Sequence, residues 1–247
     1  MKQHSLSLVA AIAFVVMVFP SLAVAGDKKP TDKKPLRIHI ISGAREYKSE
    51  PSLKEFSKFL KKKYNVTITA SWGHDGIREL KNLDALKSAD LLLLFARRMR
   101  LVPEQMDLIR THWMQGKPIV GIRTASHAFS RDVNKTFDLK VLGNNYKGHY
   151  GNQKVQVTNI KGDHPILKGV KPFQSYRLYK TGPLPKTTTV LQEGSIGNQK
   201  HPVTLINSYK GGRMFYTSLG VVEDFDDPNF RRMLVNAIFW TTRRTPK

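Results

Sequence analysis

ADLLLLFARR, residues 89–98, decides the fold. Successive side chains of a strand point to opposite faces, so this run places leucine on both. A strand apolar on both faces is buried on both. That pattern belongs to a central strand of a parallel sheet with helices on each side. The strand then stops abruptly at Arg97 and Arg98.

Working outward, residues 36–41 (LRIHII) read as a first strand and 66–68 as a second. Between them, residues 49–63 read as a helix. Leu53, Phe56, Phe59 and Leu60 form its apolar stripe, and Lys54, Lys58, Lys61 and Lys62 form a solvated face. Downstream, Pro103 opens a helix that Gly116 ends, and residues 118–122 form a fourth strand. Strand and helix alternate, which predicts an α/β fold: a flavodoxin-like, doubly wound, mostly parallel sheet with right-handed crossovers. The second half adds extra short strands at 155–160, 188–192, 203–207 and 214–217, with turns such as Lys210-Gly211-Gly212. A last helix runs from near Pro228 to about Thr242, with Phe230, Leu234, Ala237, Ile238 and Trp240 on its apolar face. No internal repeat is visible, and one domain over 36–243 is expected.

The first 25 residues resemble a secretory signal, with Lys2, an apolar run at 8–18 and the small-x-small triplet Ala23-Val24-Ala25. The run is short for a membrane span and is followed by Pro20. Cleavage after Ala25 is expected, giving a periplasmic or secreted chain with no transmembrane span; a retained anchor is the alternative. Residues 26–35 (GDKKPTDKKP) read as a charged linker. The remaining chain, about 210 residues, suffices for one well-packed core.

Cysteine is absent, so neither disulfides nor a thiolate nucleophile exist. The formal charge is +22. Such a field attracts polyanions. An exported chain without a nucleic-acid motif points to loose association with anionic polysaccharide or cell wall, or simply to a solubilising surface, and not to nucleic acid.

Ligands of doubly wound sheets bind at the carboxyl ends of the strands. That rule gathers residues 42–46, 96–98 and 123–127 at one rim. The last group lies in VGIRTASHAF (120–129), where an apolar strand breaks into Arg123, Thr124, Ser126 and His127.

Several segments together resemble the ThuA-like, or trehalose-utilisation, family: ADLLLLFARR, MQGKPIVGIRTASHAF, GNNYKGHYGN, HPILKGV, and GGRMFYTSLG followed by DPNFRRMLVNAIFW. They occur in family order across most of residues 36–243. The resemblance implies a class I glutamine amidotransferase-like fold and a role in sugar or keto-sugar metabolism. In glutaminases of this fold, the turn after the equivalent strand presents a cysteine nucleophile. Here that turn holds Arg123 to His127, so cysteine-dependent glutamine hydrolysis is excluded. Family members often carry a histidine directly after the Ser-Leu-Gly strand; this chain has Val221.

The candidate residues follow from rim and resemblance together. His127 and His149 suit proton transfer near neutral pH. Arg123 is placed to hold a developing enolate oxygen, and Arg97 or Arg98 to converge with it on an anionic group; pairing with Glu46, Asp75 or Asp132 is the alternative. Thr124 and Ser126 sit in the same turn. Ser126 is either a nucleophile, a helix cap or a ligand contact. As a nucleophile it needs a base such as His149, because adjacent side chains at a turn generally diverge. Asn144, Asn145, Tyr146 and Tyr150, in a glycine-rich loop, offer amides, phenols and flat rings to a sugar. His127, His149, His164 and Glu223 lack close metal-ligand spacing, so no metal and no cofactor is assigned. The three functional readings are a sugar-modifying enzyme, a non-catalytic carbohydrate-binding module, and a serine-dependent hydrolase.

Overall fold

Strand β3 (Leu91–Ala96) is buried at every position. The computed structural model describes residues 34–246. The expected leader, and the linker apart from Lys34 and Pro35, lie outside the described residues. Leu91, Leu93 and Phe95 join one core cluster, while Leu92, Leu94 and Ala96 join a second on the opposite face. The first cluster is closed by α1 (Ser49–Lys63) and α4 (Pro228–Thr241), and the second by α2 (Pro103–Met114). The sheet is therefore wound on both sides, as the uninterrupted leucines require.

Among the described residues, nine strands form the main sheet. Its parallel half runs β2 (Val66–Trp72), β1 (Leu36–Gly43), β3, β4 (Ile119–Ile122) and β11 (Gly212–Thr217). The later strands extend it antiparallel from β11, in the order β10 (Gln199–Tyr209), β9 (Thr189–Ile196), β6 (Lys154–Asn159) and β7 (Phe173–Tyr176). A separate two-stranded ribbon pairs β5 (Tyr146–His149) with β8 (Tyr179–Thr181).

Local chemistry explains the boundaries. Leu53, Phe56 and Leu60 are the buried stripe of α1. Helix α2 starts with Pro103 and buries Met106, Ile109 and Trp113. It ends at Gly116, whose φ is 68°. A Cβ there would lie 2.2 Å from the Lys210 carbonyl oxygen, so only glycine lets the β10–β11 hairpin dock. That hairpin turns on Lys210 and Gly211, both at positive φ, the geometry a two-residue hairpin needs. Helix α4 is capped by Asp227, which accepts from the Asn229 and Phe230 backbone N–H groups at 2.6 and 3.3 Å.

Two second-half strands are longer than the apolar pattern predicts. β9 and β10 continue as a hairpin through polar residues to Ile196 and Gln199. Pro202 is accommodated because the register shifts just after it. Among the described residues no helix is long and apolar enough to cross a membrane.

Candidate active site

The chain turns sharply after β4. Arg123 adopts φ 48°, a left-handed conformation that costs a residue with a Cβ about 1–2 kcal/mol. Arg123 is fully buried. Its guanidinium lies between the rings of Tyr47 and Tyr179, 4.2 and 4.7 Å from their centroids. It donates to the carbonyl oxygens of Ser218 at 2.7 Å and Arg177 at 3.2 Å. Its own carbonyl accepts from the Tyr216 hydroxyl at 2.8 Å. Burial opposes the charge, but Tyr179, Tyr47 and Asp224 outweigh it and raise the pKa above the ordinary arginine value. The expectation that Arg123 grips a ligand oxygen is therefore corrected. With no exposed surface and its Nη1 and Nη2 on backbone carbonyls, it acts on the rim through its charge.

Ser126 and His127 also depart from expectation. Their side chains do not diverge: Ser126 Oγ lies 2.9 Å from His127 Nδ1. The single tight turn Arg123–His127 keeps them together, and the imidazole stacks on Tyr146 with centroids 4.5 Å apart. Ser126 does not cap the next helix, α3 (Arg131–Thr136), which begins after Ser130. His127 has its pKa pushed down to about 3, first by burial and then by the charges of Arg97, Arg98 and Arg123, with His149 adding to them. Its imidazole is neutral throughout the physiological range.

Arg97 and Arg98 part company, as strand alternation predicts. Arg97 is paired: its Nη1 lies 2.5 Å from Asp75 and its Nε 3.5 Å from Glu46, which also faces Arg177 at 3.7 Å. The ion-pair alternative thus describes Arg97. Arg98 is exposed, with φ 46°, and its backbone N–H donates to the His127 carbonyl at 2.8 Å. Among the described residues it has no carboxylate partner.

The glycine-rich loop divides into scaffold and surface. Asn144 is buried and gives its amide to Asp138 Oδ1 at 2.9 Å. The other Asp138 oxygen accepts from the Tyr146 N–H at 2.8 Å. Asp138 lies in a wide π-helical stretch, Phe137–Leu142, and burial raises its pKa to about 6 against those two bonds. Asn145 donates to the Pro183 carbonyl at 2.8 Å. Tyr150 hydrogen-bonds Gln199 and His201 at 2.8 and 3.0 Å, with Lys180 over its ring. The Asn144 amide is thus drawn into the buried scaffold, while the part-exposed Asn145 amide and Tyr150 hydroxyl each already hold a protein partner. Tyr146 does face the rim and packs on Tyr179 at 4.7 Å. His149 is exposed, 6.4 Å from Tyr179 between ring centroids, with Nδ1 at 3.2 Å from the Tyr150 carbonyl.

Four buried polar atoms here have no hydrogen-bond partner among the described residues: Asp75 Oδ1, Arg123 Nε, Thr124 Oγ1 and Ser218 Oγ. Buried polar groups are normally satisfied, so these four are an unusual concentration of unpaired atoms packed behind the rim. Among the described residues no three His, Asp or Glu side chains are grouped to hold a metal ion.

Sequence reasoning missed Tyr47, Tyr179, Arg177, Asp138, Tyr216 and Ser218. Tyr47 follows directly on the expected rim segment 42–46. Tyr216 and Ser218 flank Thr217, the end of β11, and were within reach of the same strand-end rule. Tyr179 and Arg177 come from the β7–β8 region, which carries no periodic signal.

A family profile for ThuA, trehalose utilisation, matches residues 37–241. No curated protein matches the chain. Among solved structures, the chain resembles a ThuA-like protein from Bacteroides uniformis at 20% identity and TM-score 0.67, covering 85% of this chain and 92% of that one. A ThuA-like protein from Parabacteroides merdae aligns at 15% identity and TM-score 0.63, covering 85% and 90%. A β-galactosidase from Rahnella aligns at 14% identity and TM-score 0.61, covering 86% of this chain but only 32% of the larger enzyme. These likenesses establish the shared fold. With a family match that spans nearly the whole described chain, the protein belongs to the ThuA, or trehalose-utilisation, family.

Proposed function

We propose that this protein is exported and acts on an oxidised sugar, of the keto-disaccharide class, by histidine-based acid–base chemistry at the carboxyl end of β4. The family description supports the sugar class, and the signal-like first 25 residues support export. One observation carries the chemistry. His127 is a neutral imidazole, hydrogen-bonded by Ser126 and set in the field of three guanidinium groups.

A neutral imidazole with a depressed pKa is suited to donate a hydrogen bond to a carbonyl and polarise it. In the tautomer in which Ser126 donates to Nδ1, the ring proton of His127 sits on Nε2 and is the one that serves the carbonyl. Polarisation acidifies the C–H next to the carbonyl. His149, exposed on the same aromatic surface, takes that proton; the C–H bonding pair forms the enolate double bond and the carbonyl π pair moves onto oxygen. Arg97, Arg98 and Arg123, the three charges felt at His127, stabilise the developing negative charge through the field. Tyr146, backed by the buried Tyr179, supplies the flat surface against which a pyranose ring packs.

The second reading is a sugar-binding module that performs no chemistry. It is favoured by the rings of Tyr146, His127 and His149, gathered over the buried Tyr179. The serine-hydrolase reading fares worse. Its nucleophile and base are in contact, but an imidazole with a pKa near 3 is a weak base for a hydroxyl. Site occupancy is tested by following the His127 and Tyr146 ring NMR signals while mono-, di- and keto-sugars are added. Selective, saturable shifts at those two rings support the site. Shifts confined to Tyr150 or absent from both rings contradict it.

A further inference from the structure

At the opposite end of the sheet from His127, a cavity of about 390 Å³ opens beneath the amino ends of β1, β3, β4 and β11. Five cationic side chains line it: Arg37, Lys117, Arg213, Arg243 and Arg244. Among the described residues Asp90 is its one lining carboxylate. Arg37 takes that carboxylate in a close two-pronged pair, with Nη2 at 2.6 Å and Nε at 3.3 Å. Arg244 reaches it only at 3.5 Å. Lys117 lies 3.1 Å from the Lys87 carbonyl oxygen, which neutralises nothing. Arg213 is fixed in place by stacking on Trp240 and donating to its carbonyl at 3.0 Å.

The negative ends of α2 and α4 account for part of this gathering, since cations favour helix C-termini. They do not account for the backbone at Arg243. Arg243 stands at φ 56° just past α4, with the Arg244 N–H reaching back to the Phe239 carbonyl at 2.9 Å. That position ordinarily takes glycine. Here an arginine is held in a strained conformation at the cavity mouth.

We propose that this cavity binds a multiply charged oxyanion, a phosphate or sulfate ester group. Planar guanidinium groups match the paired oxygens of such esters, and among the described residues neither Lys117 nor Arg243 has a carboxylate partner. The site is separate from the His127 rim and from the lysine face of α1. It turns the high net charge of the chain into a localised recognition element, independent of the activity proposed above.

The test is calorimetric titration of the full protein at low salt with inorganic pyrophosphate and with sucrose octasulfate. Saturable binding near one equivalent of either probe is expected, and the preferred probe identifies phosphate or sulfate as the recognised ester. K117Q/R243Q should weaken binding by about tenfold or more, while K61Q/K63Q, an equal charge change on α1, should leave it unchanged. D90N removes the competing carboxylate and should tighten binding. Equal losses in the two double variants would mean that only the overall charge attracts the probe. That result, or no binding by wild type, overturns the proposal. Should D90N fail to fold, the comparison of the two double variants decides alone.

Discussion

Ser126 Oγ and His127 Nδ1 sit 2.9 Å apart, although the two residues are neighbours in sequence. The same hydroxyl is 3.4 Å from the Arg123 carbonyl, which already accepts from Tyr216 at 2.8 Å. The shorter contact, and a carbonyl already served by Tyr216, favour the hydroxyl donating to Nδ1 over the reverse arrangement, in which Nδ1–H donates to Oγ and Oγ–H to the carbonyl. Nitrogen NMR of His127 should therefore show one neutral tautomer, protonated at Nε2. Ser126→Ala should give a mixture of tautomers. A wild-type ring protonated at Nδ1 would reverse the assigned role of Ser126.

The charge environment of His127 can be titrated directly. Its pKa of about 3 follows from burial first and from the flanking arginines second. Arg98→Gln removes an exposed charge without disturbing an ion pair among the described residues. The His127 pKa should rise in that variant, by up to about one unit. An unchanged pKa would mean that Arg98 points its charge away from the site.

Acid stability follows from the same shifts. His39 and His112 are lowered to about 4 and His127 to about 3, each mainly by burial. The unfolded chain takes up these protons near pH 6.5, so their effect is nil above that value and erodes stability as pH falls. Asp138 and Asp224 are raised to about 6, again first by burial, and act oppositely: they favour the fold at low pH and lose that contribution as pH rises through 6. Three histidines outweigh two carboxyls. Between pH 6 and 4, stability should fall by roughly 1.4 kcal/mol per pH unit, the slope for one net proton. Urea midpoints at several pH values measure it, and a rise on acidification would contradict it.

Arg123→Met should cost about 3–5 kcal/mol, because it removes a buried charge held between two rings and leaves the Ser218 and Arg177 carbonyls without their donor. Arg123→Lys should not restore stability, since an ammonium cannot span both carbonyls and lie flat between two rings. Urea unfolding of both variants checks this. A fully stable lysine variant would show that only the charge matters.

Gly116→Ala is the corresponding probe of the fold. The new methyl would meet the Lys210 carbonyl at 2.2 Å from a backbone already at φ 68°. The expected loss is about 2–4 kcal/mol. A loss below about 0.5 kcal/mol, the range of neutral surface changes, would mean that the hairpin shifts freely.

The parallel half of the sheet was legible because burial there leaves a simple mark. Leu91 to Leu94 could satisfy no other environment, and Pro103 and Gly116 bracket α2 at its ends. The ribbon of β5 and β8 was not legible. Its strands are short, and Tyr146, Gly148 and His149 read as loop chemistry until Thr181, Lys180 and Tyr179 pair with them across 30 to 35 residues. The site was legible by position and not by role. Strand-end logic brought Arg97, Arg98, Arg123 and His127 to one rim. It could not foresee that Arg123 would be sealed between Tyr47 and Tyr179, or that Asn144 would be drawn inward by Asp138. Those outcomes depend on side chains supplied by distant segments, which local pattern does not encode.

The most direct measurement of the central claim follows loss of the proton next to the carbonyl of keto-disaccharides in heavy water, with wild type, His127→Ala and His149→Ala compared by NMR. Wild type should exchange that proton catalytically on at least one keto-sugar. His127→Ala should fall by about 10²–10⁴-fold, the usual worth of a positioned proton-transfer or polarising group, and His149→Ala should fall within the same range. Equal exchange by all three proteins, or none by wild type across the panel while sugars still bind, would contradict acid–base chemistry at this rim.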